Sequence, residues 1–568
     1  MEIITEQVLK ILNEGILKAF PQVDVADTQL QFTKDIKFGH MQSNAAMTLA
    51  KPLRDNPRSI ATKIVDAIDK KDVLESIEIA GPGFINFTIS QSKIIEYCNN
   101  LFNTEDLFSN LDRAGDIIID YSSPNIAKRM HIGHLRSTII GDSLKRIYNY
   151  LGYHTVGDNH LGDWGTQFGK LIVAYNQWLD RDAYAKDSVE ELERLYVEFE
   201  KRSHDKPEML EEARSELKKL QDGDATQVEL WKEFIQASIR EYNKIYTRLN
   251  VSFDTYYGES HYHPLMPSIL DLLKTKGLAK ESEGAQVVFF DEEEHLHPCI
   301  VQKKDGAYLY ATSDLACIKM RMEDYDVNQL IYVTDDRQAP HFKQVFSIAS
   351  KLDWDVKCEH ISFGIMKFKD GHFSSRKGNV IYLKDLLDEA ERRAFDVVKE
   401  KNPDLPEEEQ RDIARIVGVG AVKYADLSQN RSSAIIFDWD KNLSFDGNTA
   451  PYLQYVYARI QSIKTKAGID NISSPKSEIF KEPQEIRLLG QLIQFPSALQ
   501  KAAESYRPNV VSDYLFDLAQ DFNTFYNANR VIVEDQDIKL SRLYLCDLTA
   551  KVIKQGLELL GIEVAGRM

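Results

Sequence analysis

Two histidines three residues apart, His131 and His134, stand inside "SSPNIAKRMHIGHLRSTIIGDSLKRIYNYLG", residues 122 to 152. At that spacing both imidazoles share one face of a helix, and the β-rich run "DIIIDYSS" just before them makes this the helix's first turn after a strand. Three chemistries suit such a pair: it binds a metal, fills a core, or meets an anion at the helix N-terminus, where unpaired backbone N–H groups attract negative charge. In the third case both rings donate to a polyphosphate as its charge redistributes. Gly133 between them then leaves the backbone open to a flat ring. A second stretch, "HFSSRKGNV" at 372 to 380, is small, polar and basic, and lies between the apolar segments "HISFGIM" and "VIYLKDLL". It reads either as a solvated turn or as a loop that closes over phosphates, with Arg376 or Lys377 as donors.

The surrounding elements have to hold these residues in place. With 568 residues the chain exceeds what one core supports, so three or four domains are expected. Residues 1 to 112 read as an α+β unit: an opening helix, two helices broken at Pro57, and the strand-like "IEIAGPGFINFTIS". From 113 to 441 strands alternate with helices, which is the grammar of a parallel sheet. A charged helical insertion falls at about 180 to 245. Residues 442 to 568 keep a helical period throughout and read as an all-α bundle. In such a sheet ligands bind at the carboxyl ends of the strands, which is where His131 and His134 fall.

Composition excludes several classes. Hydrophobic residues make up 43% and charged residues 28%, as in an ordinary folded protein. No apolar run approaches the ~18 residues of a membrane span, and the acidic, amphipathic "MEIITEQVLKILNEGIL" is no cationic signal peptide. A cytoplasmic protein is expected. Five scattered cysteines without a CxxC pair predict neither a disulfide framework nor a cysteine zinc site. "HLHPC" sets His295, His297 and Cys299 at alternate positions, which on a strand would share a face; that spacing suits a metal or a plain strand. The net charge of −18 argues against coating nucleic acid by bulk electrostatics, so any RNA is held by local patches.

Taken in order, HIGH at 131 to 134 and, some 240 residues on, a KMSKS-like loop ending in GNV resemble a class I aminoacyl-tRNA synthetase. "SSPNIAKRMHIGHLRSTIIGD", "GDWGTQFGKL", "FGHMQSNAAM", "AGPGFINF" and "TAPYLQYVYARI" narrow the resemblance to the arginyl-tRNA synthetases, over essentially the whole chain. The resemblance implies a Rossmann-type catalytic core between an α+β N-terminal domain and an all-α anticodon-binding bundle. It also implies activation of arginine by ATP and transfer to tRNA(Arg).

Carried over residue by residue, it assigns arginine recognition to Asp120, Asn125, His134, Tyr310, Asp314 and Gln338. A guanidinium is a planar fork of donors and calls for carboxylate and carbonyl acceptors. Tyr310 and Asp314, four apart, share a face if that segment is helical. ATP falls to His131, Gly133, His134, Ser375, Arg376, Lys377 and Gly378, with Ser374 and Lys128 added as catalytic. The loop departs from its pattern: Ser375 stands where the second signature lysine is expected, and Lys128, in the strand-to-helix turn, is the first candidate for the missing charge. Tyr455, Arg459 and Met568 are expected at the anticodon, with Tyr452 in the same helical stripe. Lys51, Arg54, Arg58 and Lys63 are expected at the tRNA elbow. Magnesium is expected with ATP, no protein-bound zinc, no editing domain and a monomer. Two other classes remain open, a small-molecule nucleotidyltransferase and a synthetase-like RNA-binding protein without catalysis.

Overall fold

The computed structural model describes residues 3–26, 28–33, 35–103, 108, 113, 115–369, 381–469, 472 and 475–568. The second signature, with Ser374, Ser375, Arg376, Lys377 and Gly378, lies outside them, as does the expected boundary at 112. The chain divides into two units, one of residues 1–110, 445–558 and 563–568, the other of 111–444 and 559–562.

The second unit is built on a parallel sheet. Its strands lie in the order Lys357–His360, Val327–Tyr332, Asp116–Asp120, His154–Asp158. Ile117, Ile118, Ile119, Leu330 and Ile331 are buried along the two middle strands, as a sheet covered on both faces requires. The helix Ile132–Tyr150 crosses from the strand Asp116–Asp120 to its neighbour His154–Asp158. Between the strands His154–Asp158 and Val327–Tyr332 come the inserted helices, from Arg181–Lys186 through Ser188–Ser203 and Pro207–Gln221 to Ala225–Arg248. A three-stranded antiparallel sheet follows: Ala279–Ser282, Ala285–Val288 and Cys299–Gln302.

That last strand corrects one expectation. It starts at Cys299, and His295 sits in the left-handed region at φ 51° where it ends the short turn Glu292–Glu294. His295 and His297 therefore precede the strand and do not share a strand face with Cys299. The segment around Tyr310 is helical, Tyr310–Asp324, so Tyr310 and Asp314 do lie on one face.

In the other unit, an antiparallel sheet runs Gln31–Phe32, Met41–Ser43, Phe84–Ile89, Leu74–Ala80. Pro57 opens the helix Pro57–Ala67 at a position where its missing N–H costs nothing, and Asn56 caps it by accepting from the Arg58 N–H at 2.9 Å. The same unit holds the C-terminal helices Ala450–Ala467, Pro483–Leu492, Phe495–Ser505, Asn509–Ala528 and Gln536–Leu559, the last of which ends in the other unit. Tyr544 donates to Asn99 Oδ1 at 2.7 Å, and Gln91 donates to the Phe480 carbonyl at 2.9 Å, so the two ends of the chain pack as one body. Among the described residues no helix is long and apolar enough to cross a membrane.

Candidate active site

The signature histidines cap their own helix. His131 is the N-cap, and its Nδ1 accepts from the Gly133 N–H at 3.0 Å; His134 Nδ1 accepts from the His131 N–H at 3.1 Å. Two orphan donors of the helix end are satisfied in this way. Because a backbone N–H can only donate, each ring's neutral tautomer carries its proton on Nε2. Burial keeps His131 below the usual imidazole range, and burial followed by the charge of His131 lowers His134 to about 3. The helix N-terminus thus presents two neutral imidazole donors, with ring centroids 4.1 Å apart. A Cβ at Gly133 would meet Cε1 of the His131 ring at 2.8 Å, so the glycine leaves room for that imidazole.

The strand-to-helix loop before them is strained and heavily tied. Ser122, Ser123 and Ala127 have φ of 74°, 48° and 60°, which for residues with a Cβ costs of order 1 to 3 kcal/mol each. The Ser122 N–H donates to Ser137 Oγ at 2.8 Å, the Ser123 N–H to Asn159 Oδ1 at 3.1 Å, and the Ala127 N–H to Ser238 Oγ at 3.0 Å. The Tyr242 hydroxyl lies 2.6 Å from the Asn125 carbonyl oxygen and 2.8 Å from that of Lys128. Ser238, Tyr242 and Tyr246 follow each other by fours on the inserted helix Ala225–Arg248, so the insertion works as a clamp on the loop. Lys128 is half-buried, with Nζ 5.5 Å from the centre of the Tyr196 ring. Its charge helps to lower both signature histidines, which places it beside them.

Both flanks of residues 370–380 are held to the same helix. Arg136, 1% exposed, grips Asp426 with Nε at 2.8 Å and donates through Nη1 to the Gly364 carbonyl at 2.7 Å. On the exit side the Ile132 N–H donates to the Ile381 carbonyl at 2.9 Å, and the Leu383 N–H to that of Met130 at 2.9 Å.

The expected amino-acid residues sit at the carboxyl edge of the sheet or on elements facing it. Asp314 is half-buried and 2.5 Å from His341 Nε2. It lies inside its helix, whose N-cap is Leu309, so it is not a cap. Tyr310 is 70% exposed at the start of that helix, and Gln338 is exposed at the end of the turn Asp336–Gln338, three residues before His341. Asn125 is exposed and paired across an isolated bridge with Gly162. Asp120 is no surface acid: it is 5% exposed, and its Oδ2 accepts from Arg321 Nη2 at 2.8 Å.

The sequence reading missed Glu259, the first residue of the short helix Glu259–Tyr262. Its carboxylate has no hydrogen-bond partner and no lysine or arginine counter-ion among the described residues. Burial pushes it up to about 7, with the charges of Asp163 and Asp314 adding to the rise and His160 opposing it. Nothing in "YYGESHYHP" marks that acid from any other.

In the anticodon stripe, Tyr452, Tyr455 and Arg459 are all half-buried, so they are not core. Arg459 donates to the Tyr455 hydroxyl oxygen at 3.0 Å and to Asn523 Oδ1 at 3.2 Å; Asn523 in turn donates to the Tyr452 hydroxyl oxygen at 2.8 Å. Met568 is half-buried. The four expected elbow cations, Lys51, Arg54, Arg58 and Lys63, are all exposed; Lys63 is paired with Asp55 and Arg58 with the Gly81 carbonyl.

A parallel sheet whose strand runs into an HIGH helix N-terminus, tied on both sides to the flanks of a second basic loop, defines a class I aminoacyl-tRNA synthetase. Residues 98–439 match the family model for tRNA synthetases class I (R), catalytic domain; 4–89 match the arginyl-tRNA synthetase N-terminal domain, and 453–568 the DALR anticodon-binding domain. The arginine–tRNA ligase of Fusobacterium nucleatum is 51% identical with all of both chains covered, and that of Proteus mirabilis 44% identical over 94% of each. The crystal structure of the Plasmodium falciparum arginyl-tRNA synthetase superposes with a TM-score of 0.86 at 30% identity, covering the whole of each chain. The Thermus thermophilus arginyl-tRNA synthetase, 24% identical over 99% of this chain and all of that one, shares the fold with a TM-score of 0.84. The chain belongs to the arginyl-tRNA synthetase family. Its anticodon-binding domain sets aside the reading as a small-molecule nucleotidyltransferase.

Proposed function

We propose a division of labour for the reaction of this ATP-dependent ligase. The arginine carboxylate attacks the α-phosphorus of ATP, giving arginyl-adenylate and pyrophosphate. The terminal ribose of tRNA(Arg) then takes the arginyl group. ATP enters as its magnesium complex. We assign no protein-bound zinc to the reaction: among the described residues, the His and Asp cluster with metal-like spacing, Asp120, Asp158 and His160, already has the Arg321 guanidinium between its two aspartates. We place the reaction in the cytoplasm and assign it to a monomer.

The protein's part is positioning and charge. His131 and His134 donate from Nε2 to the phosphates, which their neutral state allows without repelling magnesium. Lys128, aided by Arg376 and Lys377, supplies the charge that Ser375 cannot, and Ser374 and Gly378 serve ATP from the same stretch of sequence. Asn125 and His134 orient the amino acid's α-amino and carboxylate groups. Asp314, Glu259, Tyr310 and Gln338 receive the guanidinium, and Asp120 supports the pocket floor. Tyr455, Arg459 and Met568 meet the anticodon arm, and the N-terminal domain the elbow.

The observation that carries this reading is Asp314, half-buried on the face of its helix that also carries Tyr310 and held by His341 Nε2 at 2.5 Å, with no lysine or arginine partner among the described residues and with its charge reaching the carboxyl of Glu259. The test is the Michaelis constant for arginine against pH. Asp314→Asn keeps shape and removes charge, at a cost of roughly 2 to 4 kcal/mol, or about 30- to 900-fold in that constant, with ATP use retained. Because Glu259 is protonated below about 7 and must ionise to pair with a guanidinium, the parent's constant should fall by up to about tenfold per pH unit as pH rises towards 7 and then level off. Glu259→Gln should flatten that profile. An Asp314→Asn enzyme with the parent's arginine constant would rule out the clamp.

A further inference from the structure

Asp120 and Asp158 face each other in register at the carboxyl ends of adjacent parallel strands, 5% and 1% exposed. Two carboxylates side by side and out of water demand a cation. Arg321 supplies it. Its Nη2 lies 2.8 Å from Asp120 Oδ2 and 2.6 Å from Asp158 Oδ2, and the residue is 4% exposed. The remaining oxygens are taken as well: Ser123 Oγ donates to Asp120 Oδ1 at 3.1 Å and Thr255 Oγ1 to Asp158 Oδ1 at 2.6 Å.

Arg321 comes from the helix Tyr310–Asp324, two turns beyond Asp314 and on the same face. One side chain therefore fixes the helix that carries Tyr310 and Asp314 against the strand ends that carry Asp120 and Asp158. The arrangement is not the one that stability alone would favour. Arg321 Nη1 and the Tyr332 hydroxyl, 5.4 Å from the guanidinium to the ring centre, are both buried without a hydrogen-bond partner, and such unmet groups are destabilising.

We propose that Arg321 is a positioning residue that sets amino-acid specificity. It is an internal guanidinium that occupies Asp120 and Asp158, so that the guanidinium of the substrate is directed to Asp314 and Glu259. The inference rests on the reading of Asp314 as the clamp. Without Arg321, the Asp120 and Asp158 carboxylates, left with His160 Nδ1 at 3.9 Å from Asp120 Oδ2, compete for any cationic side chain, and a lysine ammonium, which needs no planar fork, gains most from them.

The test is Arg321→Ala, which opens a guanidinium-sized hole beside two carboxylates. Arginine- and lysine-dependent ATP–pyrophosphate exchange is measured with tRNA present, alone and with millimolar ethylguanidinium chloride or ethylammonium chloride. The arginine Michaelis constant should rise about tenfold or more, that for ATP should stay put, and the ratio of lysine to arginine efficiency should increase. Ethylguanidinium should restore the arginine constant, and ethylammonium should not. A cation that only held the fold would lower the melting temperature and turnover without that selective rescue. Arg321→Lys is the second variant, with a smaller rise expected. Folded variants whose arginine constant stays within about twofold of the parent, or a loss of fold in both, would overturn the proposal. Asp314→Asn run alongside separates the failures: if it too leaves the arginine constant unchanged, the clamp reading has fallen, and if it raises it while the Arg321 variants do not, only this inference has.

Discussion

Single residues decide how charge is handled in this site. The class I loop normally brings a lysine to the triphosphate, and Ser375 cannot replace it. Lys128 lies in a loop that already has three left-handed residues, tied down by Ser137, Asn159, Ser238 and Tyr242. Its Nζ rests on Tyr196 and its charge reaches both signature histidines. Lys128→Met should lower the rate of adenylate formation with tRNA present by about 100-fold or more, with little change in ATP affinity, as for a charge that acts in the transition state. Arg376→Met and Lys377→Met, made separately, should cost less. A Lys128 variant with near-normal turnover would shift the role to that pair. The histidines stand out as candidates because a short spaced motif carries them, and Lys128 and Asp314 because the family resemblance points to their positions. Glu259 and Arg321 are not, because what makes them unusual lies elsewhere: Arg321 meets an aspartate 201 residues away, and Glu259 is set apart only by its burial and its acidic neighbours.

At the scale of elements, periodicity reads well where one face does one job. The helix Tyr310–Asp324 and the bundle helices follow their patterns. "HLHPC" failed because alternation over five residues is too short to separate a strand from the turn before it, and the left-handed His295 ends that turn. The inserted helix Ala225–Arg248 falls in what reads in sequence only as a charged helical insertion; its Ser238, Tyr242 and Tyr246 face reveals its purpose only beside the loop it clamps. The helix Ala450–Ala467 holds Tyr455 half-exposed, with Arg459 stacked 4.7 Å from its ring centre. Aromatic and guanidinium planes of this kind stack splayed RNA bases for about 1 to 3 kcal/mol each. Tyr455→Ala should therefore reduce tRNA charging efficiency about 5- to 150-fold, while the melting temperature moves by no more than roughly 2 °C. Charging and melting on one preparation check this; a large fall in melting temperature with charging intact would make Tyr455 a packing residue.

Across the whole molecule, the N-terminal domain and the C-terminal helices pack as one unit although Thr5 and Ser497, 2.5 Å apart, are separated by 492 residues. No sequence pattern announces that association, since each segment reads as a complete domain with its own apolar faces. The net charge of −18 leaves RNA binding to local patches, such as the one proposed around the exposed Lys51, Arg54, Arg58 and Lys63 in the N-terminal domain. On the proposed reading, specificity for arginine rests on the half-buried carboxylates of Asp314 and Glu259, which a planar cationic fork satisfies best, a discrimination that needs no editing step. The most direct measurement offers the protein unfractionated tRNA, ATP and each of the twenty amino acids in turn, and follows aminoacylation. Charging with arginine alone is the predicted result; charging with any other amino acid, or none with arginine, would contradict it.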